Sequence, residues 1–128
     1  MTQASPATTT APGTAVLYVC AERSRTAPTL AGERAIAEGR SIARRRGLVL
    51  VDTISDTFGI AEPLARDGWK QVRDLAAHGV VSTVITRWPN SLSPQLDYQK
   101  AEIAALEEHG VDVVYSWAPL SERGGHDS

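Results

Sequence analysis

One cysteine, one methionine and one phenylalanine occur in 128 residues, and what is scarce narrows the reading first. Cys20 alone rules out an internal disulfide framework and a multi-cysteine zinc site, and it fits a reducing compartment, so a cytoplasmic protein is expected. No apolar run approaches the ~18 residues that a spanning helix needs, and no membrane partner is expected. Neither charge sign dominates: 13 Lys and Arg against 15 Asp and Glu give a formal charge of −2, which argues against a globally basic nucleic-acid coat. No Gly-x-Gly-x-x-Gly and no Gly-x-x-x-x-Gly-Lys-Ser/Thr is present, so a dinucleotide or NTP site has no support. The three histidines lack carboxylates at ligand spacing, and neither a metal nor any other cofactor is expected.

What remains is one modest core. Residues 1–14 are Ala, Thr and Pro without a basic or apolar segment, and residues 121–128 are similarly polar; both read as disordered tails around a domain at 15–120. Within it, Ala15 to Val19, Leu48 to Asp52, Val80 to Thr86 and Val111 to Trp117 are apolar, β-branched strand candidates. Thr29 to Arg46 is the first helix, with Leu30, Ala31, Ile36, Ala37, Ile42 and Ala43 on its apolar face and Gly47 as its stop. Pro63 to Ala77 is the second, with Leu64, Trp69, Val72, Leu75 and Ala76 at helical spacing. Gln95 to His109 is the third, with Tyr98, Ile103, Ala104 and Leu106 facing inward. Thr53 to Ile60 and Arg87 to Pro94 read as loops. Alternating strands and helices with crossovers of this length predict an α/β fold, a three-layer, doubly wound, mainly parallel sheet of four or five strands. Ligands on such sheets sit beyond the carboxyl ends of the strands, which directs attention to Cys20 to Ala27, Thr53 to Glu62, Arg87 to Pro94 and the segment after Trp117.

In those segments the chain resembles the catalytic domain of serine recombinases, the resolvases and invertases. The family's pattern is a first strand ending Tyr-x-Arg-x-Ser, a Leu-x-x-Gln on the first helix, an acidic Gly-bearing loop followed by Arg, and a third strand running into Asp-Arg-Leu-Ser-Arg. Leu17-Tyr18, Leu30 to Glu33, Asp56 with Gly59, Arg66, Leu92-Ser93 and Gly110-Val111 follow it in order over nearly all of residues 15 to 119. The same register places Glu22 at the family's nucleophilic serine, Cys20 at the arginine two before it, Asn90-Ser91 at Asp-Arg and Pro94 at the last arginine. Of the core catalytic set only Arg66 remains.

The family's chemistry gives these departures their weight. A serine hydroxyl attacks a DNA phosphodiester while arginines stabilise charge on the phosphate oxygens. A carboxylate at Glu22 repels that phosphate, and neither Cys20 nor Ser91 supplies the bidentate contact of an arginine. The resemblance therefore implies a recombinase-like domain without strand cleavage, acting as an interaction module that forms a homodimer or joins an intact recombinase. Ser24, between Arg23 and Arg25, is the alternative nucleophile, and its use requires a two-residue insertion in the loop. A small-molecule or signalling domain on a similar sheet is the third reading. Full-length family members continue past the fourth strand into a dimer helix and a DNA-binding region, so DNA association is expected to be weak and non-specific.

Other charged and aromatic residues have structural readings. Arg66, Lys70 and Arg73 can share one helix face and are, with Arg23 and Arg25, the candidate phosphate contacts. Arg44 to Arg46, His78 and His109 complement helix C-termini. Cys20 is expected to be buried and unreactive, Trp69 to pack on the sheet, and Trp88 to stand in the loop after the third strand.

Overall fold

A computed structural model describes residues 13–21, 29–57 and 59–117. Among them the elements alternate as β1 (Thr14–Ala21), α1 (Leu30–Arg46), β2 (Val49–Thr57), α2 (Asp67–Ala77), β3 (Thr83–Thr86), α3 (Leu96–Glu108) and β4 (Asp112–Tyr115). Short 3-10 turns at Pro63–Ala65 and Pro89–Ser91 precede α2 and α3. The strands lie in the order β2-β1-β3-β4, and every neighbouring pair is parallel. This is the α/β sheet with helices on both faces that the alternation predicts, with four strands among the described residues.

The two-residue period of β1 divides the core. Val16, Tyr18 and Cys20 point toward Trp69, Val72 and Ala76 of α2 and Leu106 of α3. Ala15, Leu17 and Val19 point the other way, toward Ala35 and Ala43 of α1. The buried stripe of α1 is Ala35, Gly39 and Ala43, whereas Leu30 and Ala37, predicted to face inward, are exposed. Small residues win because α1 lies so close to β1 that a Cβ at Gly39 would run into the Leu17 side chain.

Four boundaries differ from the sequence reading. β2 runs on through Thr53–Thr57, predicted as a loop, because Leu17 to Ala21 of the longer β1 supply ladder partners for these polar residues. A register shift between Ala15 and Val16 leaves Val51 as the extra residue of β2. The predicted helix at Pro63 to Ala77 is broken at Arg66, whose backbone is extended, with φ −99° and ψ 125°. Leu64, counted in its apolar face, is exposed. β3 and β4 are each four residues long, shorter than their apolar runs. On α3, Gln99, Glu102 and Leu106 are buried, while Ala104 is exposed and Tyr98 and Ile103 are half-buried.

Candidate functional site

β1 and β2 end side by side, with Cys20 opposite Asp56 in the ladder. There the Tyr18 hydroxyl donates to Asp56 Oδ2 at 2.6 Å. Asp56 also serves the start of α2, whose N-cap residue, Arg66, makes no side-chain cap. Its Oδ1 accepts from the Gly68 N–H and its Oδ2 from the Trp69 N–H, both at 2.8 Å. A carboxylate from a neighbouring strand thus satisfies two of the orphan donors of the helix and faces its positive end. Gly68 makes the approach possible, since a Cβ there would stand 2.8 Å from the carboxylate atoms of Asp56. The Trp69 ring meets Tyr18 edge-on at 4.9 Å, and its indole N–H donates to Glu102 Oε1 at 2.8 Å.

Arg66 stands at the centre of this arrangement and is 2% exposed. Its Nη1 donates to Tyr18 Oη at 3.1 Å and to the Ser91 carbonyl at 2.7 Å; its Nε donates to the Ile60 carbonyl at 2.8 Å. One guanidinium therefore ties β1 to the segment before α2 and to the turn after β3. The extended backbone that breaks the predicted helix is what turns this side chain inward. Burial, reinforced by the bond to Asp56, pushes the Tyr18 phenol well above its ordinary range despite the opposing Arg66 charge. Burial likewise pushes the Cys20 thiol up, against the pull of Arg66. Cys20 is 8% exposed, and neither histidine-bearing helix end reaches its side of the sheet: His78 and His109 precede β3 and β4 at the amino edge.

The predicted site residues part company. Glu22, Arg23, Ser24 and Arg25 lie outside the described residues. Arg66, Lys70 and Arg73 do not form one stripe: Arg66 turns into the core, Lys70 is exposed and pairs with Asp67 at 3.5 Å, and Arg73 bonds to Glu102. Helical spacing suggested a shared face, but Arg66 precedes the first residue of α2. Tyr18, which in sequence marks only the resemblance, bonds Arg66 directly, and Asp56, likewise, fixes the Tyr18 hydroxyl that does so. Asp56 has a sequence signal, a carboxylate shortly upstream of a helix whose own N-cap residue is not a capping type. Glu102 has none, because it is a single acid on an acidic helix. Among the described residues, no group of His, Cys, Asp and Glu is placed to hold a metal ion, and no helix is long and apolar enough to cross a membrane.

Beyond the sheet, an open cavity of about 350 Å³ lies between the ends of β1 and β2 and the first turns of α1, with Glu33 and Asp56 on its wall. Among the described residues that line it, these two acids are the charged ones.

No protein-family model and no curated protein matches this sequence. Solved structures do. The C-terminal catalytic domain of ISC1926 TnpA, an IS607-like serine recombinase, superposes with a TM-score of 0.72 at 17% identity, covering 88% of this chain and 77% of that one. The N-terminal catalytic domain of TP901-1 integrase gives 0.69 at 14% identity, over 80% of this chain and 76% of that one. The first open reading frame of transposon ISC1904 from Sulfolobus solfataricus P2 gives 0.58 at 17% identity, over 87% and 76%. The chain has the fold of a serine recombinase catalytic domain.

Proposed function

We propose that this chain is a serine recombinase-type domain that does not cleave DNA and works by association, with a second copy of itself or with an intact recombinase. The observation that carries the proposal is the commitment of Arg66. It is the one arginine that the register leaves in the catalytic set, and its Nε and Nη1 are bound to Ile60, Tyr18 and Ser91 inside the protein. A guanidinium held this way braces the carboxyl edge rather than receiving a phosphate oxygen. The residues at the other family positions point the same way: Cys20 is a buried thiol that burial keeps protonated, and Ser91 is 3% exposed and offers no charge. DNA contact, in this reading, is weak and non-specific.

A second reading keeps a working nucleophile at Ser24. Its support is placement: β1 ends at Ala21, opposite Thr57 and one residue past the Cys20–Asp56 pair, and the residues Arg23, Ser24 and Arg25 follow it in sequence. Incubation of the purified chain with supercoiled plasmid separates the two. The expected result is unchanged plasmid and no denaturation-resistant protein–DNA adduct, with sedimentation showing a dimer or a mixed complex with an active recombinase. An adduct that disappears in Ser24→Ala would overturn the proposal and establish the second reading.

A further inference from the structure

The chain leaves β1 toward β2 on one side and β3 toward β4 on the other, so the crevice between the ends of β1 and β3 is the point where the winding of the sheet reverses. Open α/β sheets bind ligands at that point. A cleft of about 250 Å³ lies there. The end of β1 from Tyr18 to Ala21 lines it, with Ala31 and Ala35 of α1 on one wall and Trp88 and Ser91 of the segment after β3 on the other. Ser91 is the position where the serine recombinase register has an arginine, and a serine leaves that space open.

We propose that this cleft binds a neutral, planar heteroaromatic ring of nucleobase size, presented by a free nucleoside or by an unstacked base of single-stranded nucleic acid. Size sets the first limit. The cleft is smaller than the roughly 300–1,000 Å³ typical of drug-sized ligand sites, which fits one small ring system. Among the described residues its walls are largely methyl groups of alanines and an indole, which suits a ligand with an apolar or aromatic body. Its electrostatics set the second limit. Arg87, the charged residue of the cleft among the described residues, faces Glu38 Oε1 at 3.2 Å and lies 4.8 Å over the Trp88 ring, and a charge matched in this way suits a neutral ligand. Ser91, 3% exposed, lines the cleft, and a hydroxyl can both donate to and accept from the polar edge of a base. Trp88 keeps 37% of its surface exposed at the mouth, with Trp117 edge-on at 4.9 Å, an aromatic surface suited to stacking. The proposal stands on the cleft alone and is independent of whether the chain cleaves DNA.

Backbone amide shifts of the full-length ¹⁵N-labelled chain test it, with adenosine, cytidine and thymidine as free probes, and oligothymidylate and an abasic strand of equal length as strand probes. The expected result is a saturable set of shifts centred on Ala31, Ala35, Trp88 and Ser91. Ser91→Arg, which fills the cleft from one wall, and Ala31→Leu, which fills it from the other, should each weaken binding at least about tenfold. Should Ser91→Arg fail to fold, Ala31→Leu decides. Binding by nucleosides identifies a free ligand, whereas binding by oligothymidylate alone identifies a base held in a strand. No shifts with any probe, shifts that survive the folded filling variants, or an abasic strand that binds as well as oligothymidylate would each overturn the proposal.

Discussion

Replacing Gly68 by alanine should invert its sign according to what stands at position 56. In an ordinary helix the substitution stabilises by about 0.5–1 kcal/mol, because glycine has the larger backbone entropy to lose. Here the new Cβ would stand 2.8 Å from Cγ, Oδ1 and Oδ2 of Asp56. That carboxylate is not free to swing away, since it is held by the Tyr18 hydroxyl and by the Gly68 and Trp69 N–H groups. Displacing it forfeits a helix cap, about 0.5–2 kcal/mol. It also leaves the buried Tyr18 hydroxyl without its acceptor, about 1–3 kcal/mol. After the propensity gain is subtracted, Gly68→Ala should destabilise by about 1–3 kcal/mol, a large part of the 5–15 kcal/mol that holds a small domain. In an Asp56→Ala background, itself costing about 2–4 kcal/mol, the same substitution should stabilise by up to about 1 kcal/mol. The coupling, about 1–4 kcal/mol, is outside the 0.3–0.5 kcal/mol within which independent sites add. Urea unfolding of the four proteins measures it, and a 2 kcal/mol loss moves the midpoint by roughly 1 M. If Gly68→Ala stabilises both backgrounds equally, Asp56 is not the cap of α2 and the site has been misread.

Two further outcomes follow from burial at the carboxyl edge. Because the Tyr18 phenol is held above its ordinary range in the fold, its contribution is present below about pH 10 and is lost as pH rises, since the unfolded chain ionises first. Stability should fall by about 1.4 kcal/mol per pH unit beyond that point from this group alone, with the raised Cys20 thiol and Tyr115 phenol adding to the same alkaline loss. Tyr18→Phe should flatten the slope while lowering stability at neutral pH by about 1–3 kcal/mol, and an unchanged slope in unfolding measured from pH 8 to 11 would contradict the assignment. Cys20 should react with iodoacetamide at least about tenfold more slowly in the native chain than in urea at pH 8, because both access and thiolate formation are suppressed. Equal rates would show that the thiol faces solvent.

The alternation of apolar runs with amphipathic segments made the layered fold legible, because each crossover is long enough for a helix and the runs of β1 and β3 are buried on both faces. β2 was legible only in part. Thr53, Ser55 and Thr57 carry no apolar signal, and they are strand because β1 extends beside them to Ala21. The site was less legible still, since its contacts span long separations: Tyr18 to Asp56 crosses 38 residues, Arg66 to Tyr18 48, and Trp69 to Glu102 33. Spacing along one segment cannot report such contacts. Arg66 illustrates the difficulty: its i, i+4 and i+7 relation to Lys70 and Arg73 suits a solvated helical stripe, yet an extended φ/ψ at one residue sends its side chain into the core. The cleft draws on β1, α1 and the segment after β3, and no single stretch of sequence announces it.

Arg66 also shows how structural demands alone can hold a buried arginine in place. A buried guanidinium is costly unless its charge is matched and its donors are met. Tyr18 supplies a bridging hydroxyl to the Asp56 carboxylate, while the carbonyls of Ile60 and Ser91 take two more N–H groups. Removing Arg66 would leave those carbonyls and the Tyr18 hydroxyl short of partners and would release the segment before α2 from the turn after β3. Lysine would preserve the charge but not the planar fork that reaches acceptors in different directions. The same network keeps Asp56 aimed at the start of α2, so the integrity of the helix, the two loops and the strand ends rests on one side chain. A need for that brace is independent of a nucleophile, so under the proposed reading, in which Glu22, Cys20 and Ser91 stand at the other reactive positions, structure alone would retain Arg66.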